Sequence, residues 1–154
     1  MASPTQTDRQ YAYFRAEGTD EPSWVSSRLD LTPDRCWCLG EPYERNGKIF
    51  TRRSSVWALD SGLDDTYPLN DHIETLLKRL EPHRNAVLGT GTRFRTQIVC
   101  VAYCVESFNW ELSFHAQRLA TALGISFVLD AYSLGDYHEE IVALREELGL
   151  RSES

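Results

Sequence analysis

Four cysteines and four histidines are the residues of this chain best suited to metal or acid–base chemistry, and their spacing limits what they can do. The cysteines form two pairs, Cys36-x-Cys38 and Cys100-x3-Cys104. On a strand rising about 3.3 Å per residue, Cys100 and Cys104 stand roughly 13 Å apart, too far to share one zinc with thiolate bonds of about 2.3 Å. Cys36 and Cys38 lack the two-residue spacer that zinc sites favour. Buried, reduced thiols acting as small hydrophobes are expected, with no metal and no other cofactor. His72, His83, His115 and His138 contain no i, i+4 pair that would aim two imidazoles at one ion from a helix. Each reads as a helix-terminal or surface residue.

Other motifs are equally sparing. Gly89-Thr-Gly-Thr92 has the composition of a phosphate-cradling loop, but it leads into a strand, whereas such loops leave a strand and open a helix. Asp60, Asp64 and Asp65 miss the twelve-residue calcium-loop pattern and its terminal Glu. A Gly-x-Ser-x-Gly elbow is lacking, so no catalytic residue is named. Catalysis by residues scattered along the chain stays open, because triads are recognised in space.

The elements that must position these residues follow from periodicity. Ile98-Val-Cys-Val-Ala-Tyr-Cys-Val105 is an unbroken apolar run, predicted to be a central strand covered on both faces. A second apolar strand is expected over residues 125–132. Tyr11 to Ala16 reads as a strand ended by Gly18, followed by a helix capped by Asp20 and stopped by Pro33. Cys36 to Leu39 reads as a brief strand, Asn46-Gly47 as a hairpin turn, and Lys48 to Asp60 as a strand or bent pair. Leu69, Ile73, Leu76, Leu77 and Leu80 form one helical stripe, with Asn70 or Asp71 to cap it. Pro82 opens a short helix ending near Leu88. Phe108, Trp110 and Leu112 alternate with polar residues, as in a half-buried extended segment, and Ser113 and Gly124 bracket a further helix. A last helix carries Tyr137, Ile141, Leu144 and Leu148.

The chain of 154 residues suits one domain over residues 10–150, with a disordered arm over 1–9 and a tail over 151–154. Strand, helix, strand, helix recurs between Tyr11 to Leu80 and Ile98 to Leu148. The expected class is α+β, a mixed and largely antiparallel sheet with helices packed on it, ferredoxin-like or pseudo-duplicated. Tyr13-Phe14 with Gly18, Leu29-x3-Pro33, Ser55-x-Trp57-x-Leu59-x-Ser61, Leu69-x2-His72-Ile73-x2-Leu76 and Gly124-Ile125 through Tyr132 together resemble the bacterial family catalogued as domain of unknown function 4279. The resemblance spans about residues 11 to 134. It implies no reaction, ligand or catalytic residue.

A net charge of −7 disfavours nucleic acid and anionic lipid and suits a basic partner protein. Arg52-Arg53 and Arg93/Arg95 read as solvated strand faces. No apolar stretch approaches the roughly 20 residues of a membrane span, and residues 1–10 are polar, so a cytoplasmic protein is expected. Two functions compete. The first is a noncatalytic protein-binding module, immunity or antitoxin-like, that masks a partner. The second is a small-molecule binder or enzyme with a pocket between sheet and helices, near His72, Trp110 and His115. Trp57 is singled out as the residue the fold can least spare, packed against the Leu69-to-Leu80 helix.

Overall fold

Alternation along the first strand sorts the sheet into two faces. In β1 (Arg9–Gly18), Ala12, Phe14 and Ala16 are buried, while Tyr13, Arg15 and Glu17 point to the other side and are half-buried. This is a computed structural model describing residues 8–133, Glu147 and Gly149. The expected last helix, His138, residues 1–7 of the arm and the 151–154 tail lie outside the described residues.

Strand β1 is flanked antiparallel by β5 (Ser55–Asp60) and β6 (Arg95–Cys104). Strand β7 (Ser126–Ser133) runs parallel to β6, and β2 (Arg35–Trp37) borders β5, giving the order β2-β5-β1-β6-β7. The fold is therefore α+β with a mixed, largely antiparallel sheet, as the sequence predicts. Its two halves do not repeat in pairing, however. The first joins β1 and β5 antiparallel, while the second joins β6 and β7 parallel through a crossover helix. The apolar run lies in β6, an interior strand buried on both faces, although β1 holds the middle of the sheet.

The helices α1 (Ser23–Leu29), α2 (Leu69–Leu80), α3 (Arg84–Thr90) and α4 (Phe114–Leu123) contribute to one core. There Phe14, Trp57 and Ile98 of the sheet meet Val25, Leu76 and Leu123 of the helices. A single 3-10 turn, Glu81–His83, joins α2 to α3. A separate hairpin, β3 (Pro42–Arg45) and β4 (Lys48–Thr51), turns at Asn46 (φ 51°) and Gly47 (φ 74°). This is the left-handed pair expected of Asn-Gly.

Several boundaries differ from the sequence reading. Arg9 is not part of a free arm but pairs with Tyr103, because β1 is long enough to match β6. Pro22, not Asp20, occupies the α1 cap position, and the helix ends at Leu29, where Asp30 turns left-handed (φ 54°), before Pro33 can act. Neither Asn70 nor Asp71 caps α2. Gln10 Oε1 accepts the Leu69 N–H at 2.7 Å, so the cap comes from β1. Helix α3 continues through Gly89 and Thr90. Ser113 and Gly124 behave as predicted: Ser113 Oγ accepts the Ala116 N–H at 3.1 Å, and Gly124 closes α4 at φ 71°. The 108–112 segment shows the expected half-burial at Phe108, Trp110 and Leu112.

Candidate functional site

The sheet face turned away from α1 to α4 carries the chemistry. Register aligns its side chains in rows, Arg35–Ala58–Arg15–Gln97 and Trp37–Val56–Glu17–Arg95. The small residues Val56 and Ala58 leave a hollow between β1 and β2, which the β3–β4 hairpin walls off. Among the described residues, the resulting cavity of about 700 Å³ is lined by four arginines, Arg15, Arg35, Arg52 and Arg53, and by one carboxylate, that of Glu17. Its sign is thus opposite to the net charge of −7.

Three of the arginines are held, each differently. The Arg52 guanidinium lies 3.9 Å from the centre of the Trp37 ring and 3.9 Å from that of Tyr43, so both its faces are occupied and its N–H edge is preset. Tyr43 in turn stacks on Phe50 across the hairpin, with centres 5.7 Å apart. Arg35 lies over Tyr13 at 4.5 Å and pairs with Asp60 at 2.6 Å. Arg15 Nη2 donates to Gln97 Oε1 at 2.8 Å, and its Nε is buried without a hydrogen-bond partner. Beyond Arg35 the face continues into a second cavity of about 530 Å³, bordered by Tyr11, Asp60, Ser61 and Asp65.

Arg52 corrects the sequence reading, which left Arg52-Arg53 as a solvated strand face, while Arg53 is exposed as expected. Arg52 is half-buried between two rings. The available signal was the alternation of Tyr11, Tyr13, Arg15 and Glu17, an aromatic and charged stripe on a strand whose other stripe is apolar.

The three residues named from sequence do not meet in one site. His72 is 0% exposed. Its Nδ1 lies 2.6 Å from Ser61 Oγ and its Nε2 has no partner, an enclosed pair that joins α2 to the end of β5. Burial pushes its pKa below the ordinary histidine value, against the opposing pull of the Tyr67, Asp64 and Gln10 carbonyls. Trp110 Nε1 donates to Asn70 Oδ1 at 2.8 Å, while Asn70 Nδ2 donates to the Glu111 carbonyl at 2.9 Å. These bonds lace the 105–113 segment to the start of α2. His115 is exposed on α4, beside a groove of about 240 Å³ formed with Glu74, Lys78 and Glu81. The space between sheet and helices, where the pocket of a small-molecule binder was expected, is filled by the core side chains around Phe14, Trp57 and Leu76.

All four cysteines are free thiols, but not all are buried. Cys36 is exposed and Cys38 half-buried, because β2 is an edge strand. Burial pushes the Cys100 thiol up to about 12, which keeps it protonated and unreactive at neutral pH. Among the described residues, no three His, Cys, Asp or Glu side chains gather as a metal site would require. No helix among them is long and apolar enough to cross a membrane. The Gly89-Thr-Gly-Thr92 stretch is the end of α3, where a Cβ on Gly89 would lie 2.8 Å from Arg28 Nε; the glycine makes room for that side chain.

Neither the curated proteins nor the solved structures contain a match to the chain. The model of one family, described as Domain of unknown function (DUF4279), matches residues 7–134, from just before β1 to just past β7. With most of its length covered by that match, the chain belongs to the DUF4279 family.

Proposed function

We propose that this protein is a bacterial, cytoplasmic, noncatalytic protein-binding module whose working surface is the groove along β1 on the face opposite α1 to α4. It holds an extended segment of a partner protein. One observation carries the reading: the two cavities share Arg35 and so run end to end, from Arg53 and Glu17 to Asp65. Along β1 the groove follows Tyr11 to Glu17, six steps or about 20 Å at strand rise. That shape suits an extended chain better than a compact ligand. Its lining of Arg, Tyr and Trp is the composition of residues that dominate binding energy at interfaces.

Charge sets the orientation. One end of the groove is basic, while at the other Asp60 and Asp65 are paired with Arg35 and Arg9. A matching segment is therefore acidic in the half that meets the basic end. A partner basic overall also matches the net charge of −7, which disfavours nucleic acid. Four free thiols fit a reducing cytoplasm. Such a module acts by occupancy, as an immunity or antitoxin-like protein does when it masks a partner.

The test is a nuclear magnetic resonance titration with a capped extended peptide, half Glu and half Lys, beside one of the same composition with the charges alternated. The block peptide is expected to move the Trp37 indole and the Arg15 and Arg52 side-chain signals. Arg52→Gln is expected to weaken it about tenfold, the loss of a charge-assisted contact. Equal affinity for the two peptides, or binding indifferent to Arg52→Gln, overturns the groove.

A further inference from the structure

Among the described residues, Arg15 is a cation without a counter-ion. It leaves β1 between Ala58 and Gln97, inside the cavity, and its acceptor is an amide rather than a carboxylate. Gln97 is itself only 2% exposed, so it orients the guanidinium without neutralising it. The buried Arg15 Nε has no acceptor among the described residues. A partly desolvated cation held this way is unfavourable unless an anion completes the arrangement.

The neighbouring arginines are in the same condition. Among the described residues, the ion pairs are Arg9–Asp65 and Arg35–Asp60, and none reaches Arg15, Arg52 or Arg53. Among the described residues, three guanidiniums against Glu17 leave two positive charges uncompensated at this end of the groove. Glu17 Oε2 is engaged by the Ser54 hydroxyl at 3.4 Å rather than by an arginine. The three guanidiniums also come from different supports, Arg15 from the sheet floor and Arg52 and Arg53 from the segment following β4. A planar carboxylate offers two oxygens with one negative charge. A phosphate monoester offers three acceptor oxygens and close to two negative charges, which fits both the count and the spread of donors.

We propose that the Arg15–Arg52–Arg53 end of the groove is a subsite for a phosphoryl group borne by a serine or threonine of the partner segment. The subsite deepens the groove reading and rests on it. Binding requires the dianion. Glu17 opposes it, and its removal strengthens it.

Isothermal titration of the full chain tests this with four probes: a capped phosphoserine peptide of extended sequence, the same peptide with serine, the same with glutamate, and inorganic phosphate. The phosphopeptide is expected to bind at least about tenfold tighter than the glutamate peptide, as the second charge and third oxygen demand. Arg15→Gln and, separately, Arg53→Gln are each expected to remove most of that preference, and Glu17→Gln to increase affinity. Arg53 is exposed, so its variant keeps the test valid should Arg15→Gln disturb the sheet. Equal affinity for the phosphoserine and glutamate peptides overturns the phosphoryl subsite while leaving the groove. Inorganic phosphate binding as tightly as the phosphopeptide leaves the subsite but overturns the peptide groove. Failure of the phosphopeptide to bind overturns the subsite outright.

Discussion

Trp57 and His72 show how far a single residue could be read from the sequence. Trp57 lay in an apolar run and was expected to be in the core, and it is 0% exposed, edge-on to Phe14 with ring centres 6.0 Å apart. Its polar partner was not legible: Nε1 donates to Ser26 Oγ at 2.9 Å, which ties the indole to α1, while its ring lies in the same core cluster as Leu76 and Leu77 of α2. Trp57→Ala is predicted to cost about 3 to 5 kcal/mol, whereas Trp57→Phe, which keeps the ring but abandons the bond, should cost less than half of that. Urea unfolding of the two variants checks the order, and a Trp57→Phe loss as large as that of Trp57→Ala would assign the stability to the bond instead. His72 was a candidate binding residue through the family resemblance, although its place three residues after Leu69 and four before Leu76 already sets it on the buried stripe of α2. The fold keeps the imidazole neutral, with a pKa below the value of about 6.5 that it has when unfolded. The unfolded chain then binds the extra proton first as pH falls. Stability from this residue is therefore complete above about pH 6.5 and declines below it, until the folded imidazole also protonates. His72→Gln is predicted to be less stable than the parent at neutral pH, with a gap that narrows as pH falls below about 6.5. A gap independent of pH would mean that the imidazole is not held neutral.

Elements were legible where periodicity and turn chemistry act locally, and misread where a distant strand supplies the missing group. The stripe of α2 predicts its inner face, and Leu69, Ile73, Leu76, Leu77 and Leu80 are all buried. Its cap was misassigned because Gln10, far off in sequence, provides the oxygen. Leu69 is 1% exposed, so its N–H has no easy recourse to water once Gln10 is truncated. Gln10→Ala is predicted to cost about 1 kcal/mol, the usual loss of an N-terminal cap, and more than Asp71→Ala. The reverse ranking in thermal unfolding would return the cap to the helix itself. The hairpin offers the opposite case, since Asn46-Gly47 identifies its turn without any tertiary information. A Cβ on Gly47 meets nothing within 4 Å, so Gly47→Ala is opposed only by the left-handed φ of 74°. That costs about 1 to 2 kcal/mol. Because the hairpin forms a sheet of its own, the cost should appear as weaker peptide binding at the wall it forms, with the global unfolding midpoint unchanged.

At the scale of the whole molecule, what escaped the sequence was strand order, and with it the site. Each strand announces two stripes, but only pairing brings Arg15 of β1 beside Gln97, in β6, and into one cavity with Arg52, beyond β4. Small residues at Val56 and Ala58 mean little until β5 is known to lie between β1 and β2. The same topology divides the molecule by stability. Strands β1 and β6 are paired on both sides, with the core on the helix side, whereas the β3–β4 hairpin has only itself to pair with and exposes Ile49 and Phe50 at 79% and 43%. A two-stranded hairpin is marginal alone, and local opening follows the scarcity of buried apolar contacts. Native-state hydrogen exchange is accordingly predicted to leave the amides of β1 and β6 protected until global unfolding, and to release those of β3 and β4 through a much cheaper opening. Since Tyr43 and Phe50 brace Arg52, a peptide seated against that arginine must first find the hairpin closed, and it should slow exchange in β3 and β4 while leaving β6 untouched. Protection of the hairpin equal to that of β6 in the free protein would mean a rigid wall and a preformed site. Protection unchanged by the bound peptide would place the peptide elsewhere on the sheet.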